Sequence, residues 1–368
     1  MVLKTFGWSF AVTIAALAGA LAFGGPEAFV LVAILCVLEI SLSFDNAVVN
    51  AKIIERMNAW WQKIFLTVGI LIAVFGMRLL FPLLIVGLTA DLNPVDAIDL
   101  AREGGSIHDE GTYAYLLHEA HPDIAAFGGM FLLLLFLDFV FDPEREITWL
   151  SWLEKPLMRI GKLDQLTVVV GLVALAVSAK AFAEDESAVL FSGILGVVSY
   201  LLVGGLGELF ESEGEEEEGE GAAATGGPNK VQLASGKAAF FLFLYLEVLD
   251  ASFSFDGVIG AFAITQNIFI IAVGLGVGAM YIRSLTVYLV RKGTLNDYVY
   301  LEHGAMWAIG ALATILLISI EHEVPEVVTG LIGVGFIGVA FISSLAHNKR
   351  MGGPASTRAK PDPVTSST

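Results

Sequence analysis

Long apolar runs, separated by short polar segments, extend along almost the whole chain. Most of them approach the ~20 residues that a helix needs to cross the hydrocarbon core of a bilayer. The ten runs cover residues 6–24, 27–50, 62–88, 124–141, 166–183, 188–207, 238–263, 267–290, 303–320 and 326–346. The pattern predicts an all-α protein, a polytopic membrane helix bundle of about ten spans. The first run also fits a cleaved signal peptide, because Lys4 precedes it and the small residues Ala18 and Ala20 lie near its end.

The composition agrees with a membrane protein. Hydrophobic residues make up 56% of the chain and charged residues only 16%, whereas about a quarter of the residues in soluble domains are charged. The single cysteine, Cys36, excludes disulfides within the chain and cysteine-rich metal sites. The formal net charge is −18. Because no basic patch is available to neutralise phosphates, we expect no nucleic-acid partner.

The basic residues of the loops predict the orientation of the spans. With ten spans, most of these residues fall on one side, which the positive-inside rule assigns to the cytoplasm. The opposite loops hold only Arg102 and Lys180. We therefore expect a multi-pass protein of the cell (inner) membrane with both termini in the cytoplasm. The cytoplasmic basic residues include Lys52, Arg56, Lys63, Arg145, Lys155, Arg159, Lys162, Arg291, Lys292, Lys349, Arg350, Arg358 and Lys360.

The polar segments divide the chain into four parts. Residues 1–207 form an N-terminal repeat together with the sixth span, and residues 237–348 form a C-terminal membrane repeat. Between them, residues 208–236 are rich in Glu, Gly and Ala, and we expect a flexible cytoplasmic linker. Residues 349–368 are expected to be a disordered cytoplasmic tail. The long loop at 89–123, which carries three histidines, should face outward.

An acidic motif occurs twice in the chain. Residues 39–46 read Glu-Ile-Ser-Leu-Ser-Phe-Asp-Asn, and residues 250–257 read Asp-Ala-Ser-Phe-Ser-Phe-Asp-Gly. The shared pattern is acid-x-Ser-apolar-Ser-Phe-Asp-small, without a gap in either copy. Chance similarity between apolar helices rarely includes two acids and two serines, so we interpret the chain as an internal duplication.

Two arginines extend the duplication. Arg78 lies one helix beyond the first motif, and Arg283 lies one helix beyond the second. The remaining runs correspond in the same order and give five spans in each half. Because five is odd, the halves must insert with opposite orientation. Inverted repeats of this kind are typical of secondary transporters, whose sites form near the bilayer midplane.

Carboxylates inside a bilayer require compensation. A central charge costs roughly 2.5–3.5 kcal/mol on insertion scales. The usual compensation is a bound cation, protonation or a basic partner. Arg78 and Arg283 balance only part of the charge, either as structural counter-ions or as gating residues. The intramembrane acids are Glu39, Asp45, Asp250 and Asp256, with Glu247 one turn before the second motif.

The ligand types favour a hard cation. Carboxylates, hydroxyls and the amide of Asn46 are oxygen donors that suit magnesium, calcium or manganese. Neither motif contains Cys or His, which disfavours zinc and copper. The serines fit a ligand role and equally fit close packing between helices. They are Ser41, Ser43, Ser252 and Ser254.

The spacing within the motif predicts an interrupted helix. Six residues of a straight helix turn by about 600°, so Glu39 and Asp45 would point about 120° apart. A break near Ser43 would let both acids meet one ion and would free backbone carbonyls as further ligands. We predict such a break at Ser43 and at its counterpart, Ser254.

At these motifs the chain resembles the TerC family of tellurium-resistance-associated membrane proteins, and most closely a TerC-allied family of unknown function. The resemblance is carried by residues 38–46 and 249–257, by Arg78 and Arg283, and by residues 127–142 and 152–157. TerC-like proteins belong to a superfamily that includes LysE-type amino-acid exporters. The resemblance implies manganese efflux, with Glu39, Asp45, Asp250 and Asp256 as metal ligands and Asn46 as an auxiliary ligand. The long loop at 89–123 and the acidic linker depart from the TerC pattern.

The function expected from these features is secondary export of a divalent metal ion, Mn²⁺, which is the substrate and not a tightly bound cofactor. We expect no enzymatic activity, and the absence of a Gly-x-x-x-x-Gly-Lys loop argues against direct ATP driving. Two alternatives stay open. The first is export of a small organic solute such as a cationic amino acid, and the second is a non-transporting membrane partner in metallation or assembly. An intramembrane aspartyl protease is disfavoured because its Gly-x-Gly-Asp sequence is absent.

Overall fold

The computed structural model of the protein describes residues 2–69, 71–163, 165–219, 234–265, 267–292, 297–322 and 324–351. Within these ranges every regular element is a helix, apart from one isolated β-bridge between Met57 and Ala234. The predicted all-α fold class is therefore confirmed. The later part of the predicted linker, 220–233, and the predicted tail from residue 352 onward lie outside the described residues.

The first part of the chain is nearly continuous helix. Its elements are α1 (Val2–Leu42), α2 (Phe44–Ile54), α3 (Ala59–Ile64), the π-helical turns Phe65–Gly69 and Ile72–Leu80, and α4 (Phe81–Thr89). Asn58 begins α3 because its side-chain oxygen accepts hydrogen bonds from the backbone N–H groups of Trp60 and Trp61.

The predicted outer loop contains two short helices before the long apolar helices resume. Asn93 and Thr112 cap the two short helices through their side-chain oxygens. The elements from this point are α5 (Pro94–Glu103), α6 (Tyr113–Glu119), α7 (His121–Phe141), α8 (Ser151–Ile160), α9 (Leu166–Phe182), α10 (Glu186–Gly219), α11 (Gly236–Ile264), α12 (Ile268–Lys292), α13 (Leu301–Ile318) and α14 (Glu326–Arg350). Helix α10 continues to Gly219, so the predicted linker begins as helix because its glutamates are good helix formers.

Two interruptions divide the helices around the first motif. Gly25 has φ 74° and ψ −169°, a conformation that favours glycine, and Pro26 starts the helix again. This kink separates the first two predicted apolar runs. The second interruption is the bend at Ser43, with φ −102° and ψ 17°, which confirms the predicted break. The corresponding prediction at Ser254 is wrong, because α11 continues through it as a single helix.

Six of the described helices are long and apolar enough to cross a membrane. They are Thr5–Ile40, His121–Phe141, Glu186–Gly205, Ile268–Val290, Leu301–Ile318 and Val328–Arg350. The pair Ala59–Gly69 and Ile72–Gly87, bent by 40°, makes a seventh if it is one span. The described parts of all ten predicted runs lie mainly on helices. Two of these helices are not among the six: α9 has only 17 residues, and α11 carries the charged residues of the acidic motif. The chain is thus an all-α protein embedded in a membrane.

Contacts between helix ends show which ends lie on the same side of the bundle. The segment that follows α2 meets the segment that precedes α11, where the backbone N–H of Asn58 donates to the carbonyl of Ala234. The end of α2 contacts the start of α13, where Lys52 lies 3.1 Å from Glu302. The starts of α7 and α10 contact each other, with the Ser192 hydroxyl 3.2 Å from Asp123. The end of α7 lies beside the start of α13, where the ring centroids of Phe139 and His303 are 5.2 Å apart. The contact between Ser192 and Asp123, at the other end of α7, is therefore on the opposite side of the bundle from the end of α2.

A buried cluster on that opposite side joins the ends of several helices. It connects α4, the short helices α5 and α6, the last third of α11 and the start of α12. Its members include Val86, Ala101, Tyr113, Val258 and Ile268. The predicted outer loop is therefore packed onto the bundle rather than extended from it.

The core and the periphery of the bundle differ in their apolar side chains. Helix α7 lies in the centre, where Phe131, Leu132 and Leu134 are fully buried against α10, α11 and α13. Large apolar side chains on α1, α10 and α14 point outward instead, as lipid-facing residues do. They include Trp8, Phe23, Phe191, Leu202 and Leu331.

Candidate functional site

The first acidic motif lies in the interior of the bundle at the break between α1 and α2. Glu39 is only 1% exposed, and its Oε1 atom forms an ion pair with Nη2 of Arg78 from the π-helical turn. The Ser43 hydroxyl donates to the same oxygen over 3.1 Å. Gly278 of α12 lets the helices approach, because a Cβ atom there would lie 2.5 Å from Cβ and Cγ of Glu39. The motif thus holds a buried, neutralised carboxylate.

The second acidic motif has the same kind of arrangement. Nη2 of Arg283 on α12 lies 3.6 Å from Oδ2 of Asp250 and 3.7 Å from Oε1 of Glu247, both on α11. It also donates to the carbonyl of Gly69 over 3.2 Å, and the guanidinium lies 3.8 Å above the ring of Phe65. Both acids and the arginine are buried. Arg283 is therefore shared between two carboxylates, a carbonyl and an aromatic face.

The two ion pairs occupy equivalent positions in the two copies of the duplicated sequence. Glu39 and Asp250 open their motifs, and each pairs with the arginine one helix further along its own half. Each arginine lies where a counter-ion to its acid is needed, because breaking such a buried pair leaves an uncompensated charge. A shared ion-pair arrangement in both halves is what an internal duplication predicts.

The two motif copies also contact each other, and the contacts are reciprocal. The Asn46 side-chain amide donates to Oδ1 of Asp250 over 2.7 Å. At the matching position of the second copy, Gly257 approaches Glu39 so closely that a Cβ atom there would lie 3.3 Å from Oε2. The last residue of each motif therefore faces the first acid of the other. Glu39 and Asp250 therefore both lie where the two motif copies contact each other.

Part of the predicted site is not described by the structure. The side chains of Ser41, Asp45, Ser254 and Asp256 lie outside the described residues. Of the remaining serines, Ser43 bonds Glu39, whereas the Ser252 hydroxyl donates to the Val248 carbonyl over 3.0 Å within its own helix.

The described side chains do not form a preorganised metal-binding site. Among them, no group of three or more His, Cys, Asp and Glu residues is arranged to hold a metal ion. The described acids are instead paired with arginines. A cation that binds here would need additional oxygens or a rearrangement of the ion pairs, because each carboxylate already has a positive partner.

Comparison with known proteins places the chain in a family. Residues 44–351 match the family described as "Protein of unknown function (DUF475)". The chain belongs to the DUF475 family. No curated protein and no solved structure matches it. The DUF475 match includes the second motif and both arginines but starts after Glu39.

A second buried polar cluster in this DUF475 protein was not predicted from the sequence. Glu154 of α8 is 0% exposed, and its carboxylate accepts hydrogen bonds from the backbone N–H of Trp149 at 3.0 Å and from Nε1 of Trp307 at 3.1 Å. Nη2 of Arg145 and Nδ1 of His303 each lie 3.3 Å away. The cluster fastens the short helix α8 to the start of α13.

The donors around Glu154 stabilise its charged form. Burial alone would raise the pKa of this carboxyl, but the hydrogen bonds from His303 and Trp307 outweigh burial and lower the pKa to about 2. The only signal in the sequence is a glutamate within an amphipathic segment, and nothing there indicates that α13 supplies its partners. The cluster stabilises α8 and shares no residue with the acidic motifs.

Proposed function

We propose that this DUF475 protein is a secondary transporter that exports a divalent metal ion, Mn²⁺, across the cell membrane. The observation that carries the proposal is the reciprocal contact between the two motif copies, which buries acids from both halves at one interface. In transporters built from repeats, substrate sites form at such an interface. Acids inside a membrane are costly and rare, and where they occur they commonly mark ion pathways or proton relays.

The proposal includes ten spans arranged as two inverted five-helix repeats, with both termini in the cytoplasm. The positions of the helix ends support this arrangement, because the ends of α2 and α7 lie on the same side of the bundle as the starts of α11 and α13. The equal ion pairs Glu39–Arg78 and Asp250–Arg283 support it as well. We also propose that the protein is similar to the TerC family and, like it, acts in manganese efflux.

The proposed ligands are the oxygen atoms of both motifs. Glu39 and Asp250 contribute carboxylates from the two halves, and Asn46 contributes an amide oxygen. Asp45 and Asp256 complete the site. Hard oxygen donors of this kind suit Mn²⁺ better than zinc or copper. Binding of the ion releases Arg78 and Arg283 from their pairs, and this exchange couples ion binding to movement of one half against the other.

Transport into inverted membrane vesicles tests the proposal. Parent protein should accumulate Mn²⁺, whereas Asp45→Asn and Asp256→Asn variants, matched in expression, should not. Equal uptake by parent and variants would show that the site is wrong. Uptake of lysine instead of Mn²⁺ would identify the organic-solute exporter, and no uptake of either would favour a non-transporting membrane partner.

A further inference from the structure

A second asparagine on α2 is buried, and no described residue forms a hydrogen bond with its side chain. Asn50 is 0% exposed, and neither atom of its side-chain amide has a hydrogen-bond partner in the described part of the chain. Its neighbours Val49 and Ala51 are also buried. An amide without partners costs about 1–3 kcal/mol when it is buried. A leucine of similar size would avoid that cost, so packing does not explain an asparagine here.

The position of Asn50 relates it to the proposed ion site. Residues four apart lie on the same face of a helix, so Asn50 follows Asn46 by one turn. Asn46 contacts Asp250 between the motif copies. In the other direction, α2 ends after Ile54, and Lys52 near this end is partly exposed and pairs with Glu302. Asn50 therefore lies between the acids and the end of the bundle that we propose is cytoplasmic.

The chemistry of an amide suits a step on an ion path. Its oxygen is a neutral, hard donor that binds Mn²⁺ or one of its waters more weakly than a carboxylate does. An ion must bind along its route strongly enough to enter and weakly enough to leave. A neutral oxygen one turn from the acids meets that requirement, whereas another carboxylate would retain the ion.

We propose that Asn50 is a transfer ligand, which passes the divalent cation between the cytoplasmic end of α2 and the acids of the two motifs. This inference rests on the proposed function. In this role Asn50 affects the rate at which the ion passes and not the equilibrium affinity of the main site.

The test compares Mn²⁺ flux and Mn²⁺ binding in the same preparations. Asn50→Leu should lower initial uptake into inverted vesicles by about tenfold or more, because the oxygen on the path is lost. Equilibrium Mn²⁺ binding should stay within about twofold of the parent, because the acids are unchanged. Asn50→Ser keeps a hydroxyl oxygen and should retain more flux than Asn50→Leu. Asn50→Asp should bind Mn²⁺ about tenfold more tightly and release it more slowly.

A matched control is Thr286→Val on α12. Thr286 is as buried as Asn50, but its hydroxyl already donates to the Ile282 carbonyl over 2.9 Å. This variant should transport like the parent.

The outcomes separate the two proposals. Parental flux in Asn50→Leu, or equal losses of flux in Asn50→Leu and Asn50→Ser, would overturn the transfer role while leaving the main site intact. If Asn50→Leu does not fold, the comparison of Asn50→Ser with Asn50→Asp decides, and identical flux and affinity in these two would overturn the role. Absence of Mn²⁺ flux in the parent itself would overturn the proposed function, and the transfer role with it.

Discussion

Asn46 donates a hydrogen bond to Asp250 over 2.7 Å, although 204 residues separate them in the chain. The bond joins the last residue of the first acidic motif to the first residue of the second. Its counterpart is the close approach of Gly257 to Glu39. Because the two contacts involve the same motif positions, they join the two copies of the motif reciprocally.

The ion pair between Glu39 and Arg78 is expected to be a unit whose members depend on each other. Glu39→Gln should destabilise the protein by about 3–5 kcal/mol, because it leaves a buried guanidinium without its charge partner. The double variant Glu39→Gln with Arg78→Met should recover much of that loss. Thermal unfolding in nanodiscs measures both. Additive losses in the double variant would show that the pair is not coupled.

Gly278 is expected to be essential for the approach of α12 to the first motif. Gly278→Ala would place a methyl group 2.5 Å from Cβ and Cγ of Glu39, and overpacking of this kind costs about 1–3 kcal/mol. We expect a lower unfolding temperature together with reduced Mn²⁺ uptake. Gly338→Ala on α14 is the control, since a Cβ atom there meets nothing within 4 Å. Equal unfolding temperatures for the two variants would contradict the packing argument.

The Glu154 cluster predicts a specific sensitivity to acid. The pKa of the Glu154 carboxyl falls from its ordinary value of 4.5 to about 2 on folding. A lowered pKa means that the stabilisation is complete above pH 4.5 and is lost as the pH falls toward 2. We expect parent protein to lose stability across this range more steeply than Glu154→Gln, in which the titrating group is absent.

Protease cleavage of the α8 segment, followed as the pH is lowered, measures this effect. In the parent, cleavage near α8 should increase as the pH falls through the window, whereas Glu154→Gln should be cleaved readily at every pH. Identical pH profiles for the two proteins would mean that Glu154 does not hold α8 in place.

The apolar pattern predicted where the helices lie, and the duplicated motif predicted that Glu39 and Asp250 are buried. The described parts of the ten apolar runs lie mainly on helices, because a backbone in lipid must satisfy its hydrogen bonds internally and a helix does so. Burial of Glu39 and Asp250 followed from the duplicated acids. The arginines were expected only as partial counter-ions, and their specific pairing depends on how α12 and the π-helical turn pack, which no local pattern encodes.

The break at Ser43 and the intact helix at Ser254 show where local sequence stops being informative. Both motif copies have nearly the same residues, so local propensity is nearly the same for both. Tertiary surroundings therefore decide which copy bends. The Glu154 cluster was missed for a similar reason, because His303 and Trp307 come from a helix about 150 positions further along the chain.

Equilibrium Mn²⁺ binding to the purified protein in nanodiscs tests the central claim most directly. The parent is compared with Asp45→Asn, Asp256→Asn and the double variant. If acids from both halves hold one ion, each single substitution removes high-affinity binding and the double variant is no worse than either. Undiminished binding in a single variant, or independent and additive losses, would contradict a shared site between the two halves.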